Sequence, residues 1–212
     1  NHGTMTINNG VAVTTAGGES LSSKGRYSSL ISNGYFSYTD TNPRNGYVET
    51  SNEAAPSLTI SGGTFAGGLN TIKNDDGGNL TITGGTFSNF YQALVQNHNI
   101  AEITGGTFTA ASDANGIIYG VDNCGCVATT DLGTLTISSG TFSGVTCGVW
   151  DRSSQPAQIA ISGGTFKAGN NSVDKAASSK ATISITGGTF SSDVKEFVPQ
   201  NYECVVDDEN DT

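Results

Sequence analysis

The chain has 212 residues, of which 9 are Lys or Arg and 19 are Asp or Glu, so charged residues make up 13% and the net charge is −10. An ordinary soluble domain is about a quarter charged, and only 35% of this chain is apolar, which excludes a thick globular core. Three arginines, Arg26, Arg44 and Arg152, supply too little basic surface for counterion release, so neither nucleic acid nor an anionic membrane is an expected partner.

No stretch reaches the 18 or so apolar residues of a membrane span, and the chain opens on Asn1-His2-Gly3 without a basic, then apolar, leader. It reads as a piece of a larger product. The four cysteines, Cys124, Cys126, Cys147 and Cys204, lack paired C-x-x-C spacing and have no histidine close in sequence, which argues against zinc.

In chain order, the first ordered signal is a repeat. Weak copies stand at 5–12 (MTINNGVA) and 29–36 (SLISNGYF). The full form, LTISGGTF at 58–65, returns at 80–87, 101–108, 135–142, 159–166 and 183–190. Motif ends fall at 12, 36, 65, 87, 108, 142, 166 and 190, giving steps of 24, 29, 22, 21, 34, 24 and 24. Inside each unit Leu, Ile and then Phe alternate with Thr and Ser at the period of a strand, and Gly-Gly interrupts where a strand must bend.

A third strand follows by counting seven residues past the motif Phe, which reaches Ile72, Leu94, Val149, Val173 and Phe197, with Val121 in the long unit. The segments so aligned are 70–74, 92–96, 119–123, 147–151 and 171–175. The expected fold is therefore all-β: a parallel solenoid of about 7–8 coils of 21–24 residues, with three short strands per coil. No coil could bury its own apolar face, so stacking is obligatory. Residues 1–198 form the solenoid, and 199–212, with Pro199 and the acidic end DDENDT, form a cap and tail leading to a further domain or linker.

Extra residues collect after the third strand, at 123–133 and 152–157, which marks one edge as the place to look for binding. If the counted core residue points inward, the next row, Lys73, Val95, Asp122, Trp150 and Asp174, points outward. The row after it is Asn74, Gln96, Asn123, Asp151 and Lys175. Trp150, with Tyr119 or Tyr91, would offer a flat face to a sugar ring, while Asp122, Asp151 and Arg152 hydrogen-bond hydroxyl groups. The competing structural reading has Tyr119 and Cys147 sharing an inward position, and asparagines capping bends.

Asp122, Asp151, Asp75 and Asp76 are candidate Ca2+ ligands in an acidic chain, with the tail 207–211 as an alternative. No loop has EF-hand spacing. His2 and His98 are too few for a histidine-centred catalytic site. The motif threonines Thr64, Thr86, Thr107, Thr141, Thr165 and Thr189 form an outward ladder, explained by β-propensity and cross-coil hydrogen bonding rather than by ice binding. A Cys124–Cys126 disulfide would close a small strained ring, so a Cys126–Cys147 disulfide is preferred, with Cys204 free or paired to Cys124.

Repeats of 21–24 residues with three strands, Gly-Gly corners and internal Phe and Ile ladders resemble the right-handed parallel β-helix of the pectate-lyase-like superfold, over residues 5 to about 198. The wording I-[ST]-G-G-T-F is similar to repeats in large secreted or wall-anchored bacterial proteins. The resemblance implies a secreted or cell-surface adhesin or carbohydrate-binding module, monomeric within a larger surface protein, whose partner is a polysaccharide, host glycan or receptor. Two alternatives remain. One is a polysaccharide lyase or glycoside hydrolase, for which no constellation of acids and base is legible; the other is a passive stalk or protein-receptor-binding domain.

Overall fold

The computed structural model describes residues 1–14, 29–35, 55–112, 114, 116–126 and 131–205. The tail 207–211, Arg26 and Arg44 lie outside them.

The chain winds as a parallel β-solenoid. Its strands are β1 (Thr4–Ile7), β2 (Ala12–Thr14), β3 (Ile31–Asn33), β4 (Ser57–Ile60), β5 (Thr64–Ala66), β6 (Asn70–Asn74), β7 (Asn79–Ile82), β8 (Thr86–Asn89) and β9 (Ala93–Asn97). They continue with β10 (Ile100–Ala110), β11 (Tyr119–Asn123), β12 (Thr134–Ser143), β13 (Cys147–Asp151), β14 (Gln158–Ile161), β15 (Thr165–Lys167), β16 (Asn171–Lys175), β17 (Thr182–Ile185) and β18 (Thr189–Phe190). One face runs β1-β4-β7-β10-β12-β14-β17, and a separate face runs β16-β13-β11-β9-β6-β3. Between them lies a row in which β2, β5, β8, β15 and β18 pair with each other and with the far halves of β10 and β12.

Every named strand pairing is parallel, and at the motif core positions like residue stacks on like. Ile7, Ile60, Ile82, Ile103, Ile137, Ile161 and Ile185 form one column. A second column stacks Phe65, Phe87, Phe108, Phe142, Phe166 and Phe190 with ring centroids 4.6 to 5.1 Å apart. The first five of these rings are fully buried. A coil spacing close to the 4.7–4.9 Å separation of strands also suits ring stacking, so one geometry serves backbone and side chain together.

The second glycine of each motif corner makes the turn possible. Gly106 sits at φ +109, and a Cβ there would lie 3.1 Å from the Phe108 ring. Its neighbour Gly105 lies against the coil before it, where a Cβ would fall 2.4 Å from the Thr83 carbonyl oxygen. The motif threonines occupy the solvent side of the Phe strands, as expected.

Three expectations need correction. The coil count is about five complete coils, β4 to β16, between partial coils at the ends, rather than 7–8. The weak copy at 29–36 does not start a coil, because Ile31–Asn33 pairs with β6 and is the third strand of the coil that Thr4–Ile7 opens. Nor does Phe197 belong to a strand. It closes a 3-10 turn, Lys195–Phe197, and with Val194 is buried against the last core residues, so capping begins before Pro199.

The third correction is one of register. Val95, not Leu94, pairs with Ile72 and Val121, so the coil runs one residue longer than the count of seven. The bend before β9 absorbs the extra residue: Asn89 Oδ1 accepts the backbone N–H groups of Tyr91 (2.8 Å) and Gln92 (2.9 Å). The outer row is therefore Lys73, Gln96, Asp122, Trp150 and Asp174, and the following row is Asn33, Asn74, Asn97, Asn123, Asp151 and Lys175.

That second row is an internal hydrogen-bonded ladder with a direction. Each amide donates to the next coil's side-chain oxygen: Asn1 to Asn33 (2.8 Å), Asn33 to Asn74 (2.8 Å), Asn74 to Asn97 (2.9 Å), Asn97 to Asn123 (2.8 Å) and Asn123 to Asp151 (2.8 Å). Asn33, Asn74, Asn97, Asn123 and Asp151 are all fully buried. Asp can end the series because it needs only to accept. Its oxygens also take the Ser153 hydroxyl (2.7 Å), the Ser153 backbone N–H (3.0 Å) and the Ser179 hydroxyl.

Candidate functional site

Two side-chain groups on the β3-to-β16 sheet carry chemistry. The first is on its outer face. Each strand there turns two successive buried residues inward, such as Gly120-Val121 and Gly148-Val149, which leaves the first and fourth residues to make the outer rows. Tyr119 and Trp150 stand in those rows on adjacent coils. Both are half-buried, with ring centroids 6.0 Å apart and planes inclined by only 15°.

Asp122 lies in the same row and is 1% exposed. Its oxygens accept Arg152 Nε (2.8 Å) and Arg152 Nη2 (2.9 Å), and Oδ2 also accepts Gln96 Nε2 (3.0 Å). This forked pairing orients the guanidinium, whose side chain remains 42% exposed, and holds its pKa above the ordinary arginine value. Burial, with the nearby charges of Asp122 and Cys147, raises the Tyr119 pKa, so its hydroxyl stays protonated at neutral pH.

The predicted site residues thus divide. Trp150, Tyr119, Asp122 and Arg152 come together. Tyr119 is an outer-row residue, not an inward one, and it pairs in register with Cys147. Tyr91 lies in the bend before β9 with its ring against Phe90 (centroids 4.2 Å). Asp151 is withdrawn altogether: it terminates the buried ladder and reaches neither a sugar nor a calcium ion from the surface. Asp122 is likewise engaged, by the Arg152 guanidinium and the Gln96 amide.

The second group lies just past the ladder. Asp75, His98, Cys124 and Arg152 each follow a ladder residue and so stack on successive coils. Their backbone N–H groups bond the ladder carbonyls one coil back, as in His98 to Asn74 (2.8 Å), Cys124 to Asn97 (2.8 Å) and Arg152 to Asn123 (2.9 Å). Ligand atoms of His98, Cys124 and Cys126 all lie within 4.8 Å of one another, as do those of Asp75, Asp76 and His98. Asp131 adds a carboxylate 3.6 Å from His98 Nδ1, and Asp75 pairs with Lys73 at 2.7 Å.

Burial, then the charges of Asp131 and Asp75, push the Asp76 carboxyl up to about 6. Burial opposes protonation of His98, but Asp131 and Asp75 outweigh it and raise its pKa. The predicted Cys126–Cys147 disulfide is not formed. Cys126 Sγ lies 2.7 Å from Cys124 Sγ, and the Cys147 thiol, at the start of β13, bonds instead to the Val149 carbonyl (3.2 Å).

Sequence reasoning named Asp75, Asp76 and Arg152 but did not join them to His98, Cys124 and Cys126, because it weighed His98 against its neighbours along the chain. Aligning coils on Asn74, Asn97, Asn123 and Asp151 would have exposed it, since the next residue in each coil is Asp75, His98, Cys124 and Arg152.

Comparison with known proteins adds no identification: no family model, curated protein or solved structure matches the chain.

Proposed function

We propose that the chain is an extracellular, cell-surface binding module that engages carbohydrate through the outer face of the β3-to-β16 sheet. The observation that carries this reading is the pair of near-parallel, half-exposed rings, Tyr119 and Trp150, beside an Arg152 held in place by a buried carboxylate. An aromatic body with a polar tip suits a sugar's apolar face and its hydroxyl rim. Two of the five guanidinium N–H groups serve Asp122, which leaves donors for a hydroxyl or an anionic sugar. With both Asp122 oxygens occupied, the arrangement favours recognition over acid–base chemistry. A finer assignment, to the right-handed pectate-lyase-like β-helices, is part of the same reading and is supported by the motif spacing and the stacked Phe and Ile columns.

The test is a screen of polysaccharides and host glycans against the whole chain, with calcium and with chelator, reading binding and the release of reducing ends or unsaturated products in the same wells. The expected result is binding without turnover, lost in Trp150→Ala and Tyr119→Ala while the melting temperature stays near that of the parent. Turnover, or binding indifferent to both substitutions, overturns the proposal.

A further inference from the structure

We infer that His98, Cys124 and Cys126 form a binding site for a divalent metal ion of the zinc class, with Asp131 orienting the histidine. Thiolate and imidazole ligands select borderline-soft ions, and a tetrahedral zinc with bonds of about 2.0–2.3 Å sets its ligand atoms about 3.5–3.8 Å apart. The three ligand atoms are gathered within 4.8 Å, and the Cys124 and Cys126 sulfurs, 2.7 Å apart, need to open by about 1 Å through side-chain rotation to reach that spacing.

The backbone beneath the site is fixed. The ladder registers His98 and Cys124 one coil apart. Gly125, between the two cysteines, donates its N–H to Ser153 Oγ (2.8 Å), and its carbonyl accepts the N–H groups of Ser154 (2.9 Å) and Gln155 (3.1 Å). Both thiols are therefore presented by a loop tied to the following coil, the kind of support that a precise site requires.

An independent observation points to a missing partner. Among the described residues, His98 Nε2 and Asp131 Oδ1 are buried polar atoms with no hydrogen-bond partner. Asp131 is 2% exposed, so leaving it unsatisfied is costly. With Nδ1 facing Asp131 and Nε2 unengaged, the histidine has the carboxylate–imidazole arrangement in which the second nitrogen binds metal. Three carboxylates, Asp75, Asp76 and Asp131, lie near His98 against the ammonium of Lys73, and this excess of negative charge favours a cation there. Three protein ligands leave the fourth position to water.

The test is titration of the whole 212-residue chain, fully reduced, with Co2+, reading thiolate-to-cobalt charge transfer and the visible bands of a four-coordinate ion. One equivalent is expected to bind with both signatures and to be displaced by Zn2+. Cys126→Ser, at an exposed position, should keep the fold and lose most of the charge-transfer intensity, and Cys124→Ser should do the same. Asp131→Asn should keep the bands but weaken affinity about 10–100-fold. Cys147→Ser and Cys204→Ser should change nothing. Absence of charge transfer in the reduced protein at saturating cobalt overturns the inference, as does a band that survives in the Cys124→Ser, Cys126→Ser double variant.

Discussion

Asn97 sits in the middle of the internal ladder, and its replacement separates the ladder's polarity from mere space filling. Truncation in Asn97→Ala removes the bonds from Asn74 (2.9 Å), to Asn123 (2.8 Å) and to the Thr134 carbonyl (3.1 Å). The Asn74 amide keeps Gly78 O (3.0 Å) and Ile100 O (2.9 Å), so it loses little. Asn123 Oδ1, fully buried, loses its donor at a cost of about 1–3 kcal/mol, and the void left behind adds more, for a total of about 2–4 kcal/mol. Asn97→Asp fits the space but sets a carboxylate oxygen against two acceptors, Asn123 Oδ1 and Thr134 O. It should cost about 3–5 kcal/mol at neutral pH, as for an uncompensated buried charge. Because protonation would restore the missing donor, the folded-state pKa of that Asp must exceed the unfolded value of about 3.9. Its penalty should therefore shrink as pH falls towards 4 and grow above it. Urea unfolding followed by far-ultraviolet circular dichroism, with midpoints compared at equal m, measures all of this. If Asn97→Ala lies within about 0.5 kcal/mol of the parent, or Asn97→Asp is the more stable variant at pH 7, the ladder does not hold the coils as described.

At the ladder's far end the substitution runs the other way. Asp151→Asn should cost about 1–3 kcal/mol in the same assay, since its amide would meet the Ser153 N–H; no loss would contradict the all-acceptor role of Asp151. Phe142→Ala, in the middle of the aromatic column, should cost about 3–5 kcal/mol and clearly more than Phe190→Ala at its half-buried end, with equal losses in melting experiments refuting a stacked core. Gly105→Ala should lower the melting temperature markedly because its Cβ meets the Thr83 carbonyl, whereas Gly169→Ala, whose nearest atom would be 3.7 Å away, should be nearly silent. Burial, then the charge of Asp174, push the Cys147 thiol up to about 12, so it should resist a disulfide reagent at pH 8 until the protein unfolds, while exposed Cys204 reacts at once.

The strands were legible because their apolar residues recur at a short period and their corners carry paired glycines. Register was less so. A count from the motif Phe cannot register the extra residue that Asn89 accommodates, and one slipped residue moved Val95 out of the core and Gln96 into the ladder. The ladder itself was hidden because asparagines near bends ordinarily cap them, and nothing local separates that role from a bond between coils. Trp150, Tyr119, Asp122 and Arg152 were found as surface residues of one edge, but the depth of Asp122 and the withdrawal of Asp151 depend on what neighbouring coils place over them. The His98, Cys124 and Cys126 group escaped for the same reason, since its members are 26 and 28 residues apart along the chain and one coil apart in space.

The one-way run of the ladder also sets a grammar for lengthening the rod. A duplicated coil bearing Asn could be spliced anywhere between Asn33 and Asn123, because it would receive from below and give to the coil above as its neighbours do. A coil spliced in after Asp151 would find no donor beneath it, and moving the Asp downward would strand an acceptor above. Gain or loss of repeats within this molecule is thereby steered to its middle, where the length can change while both ends stay as they are.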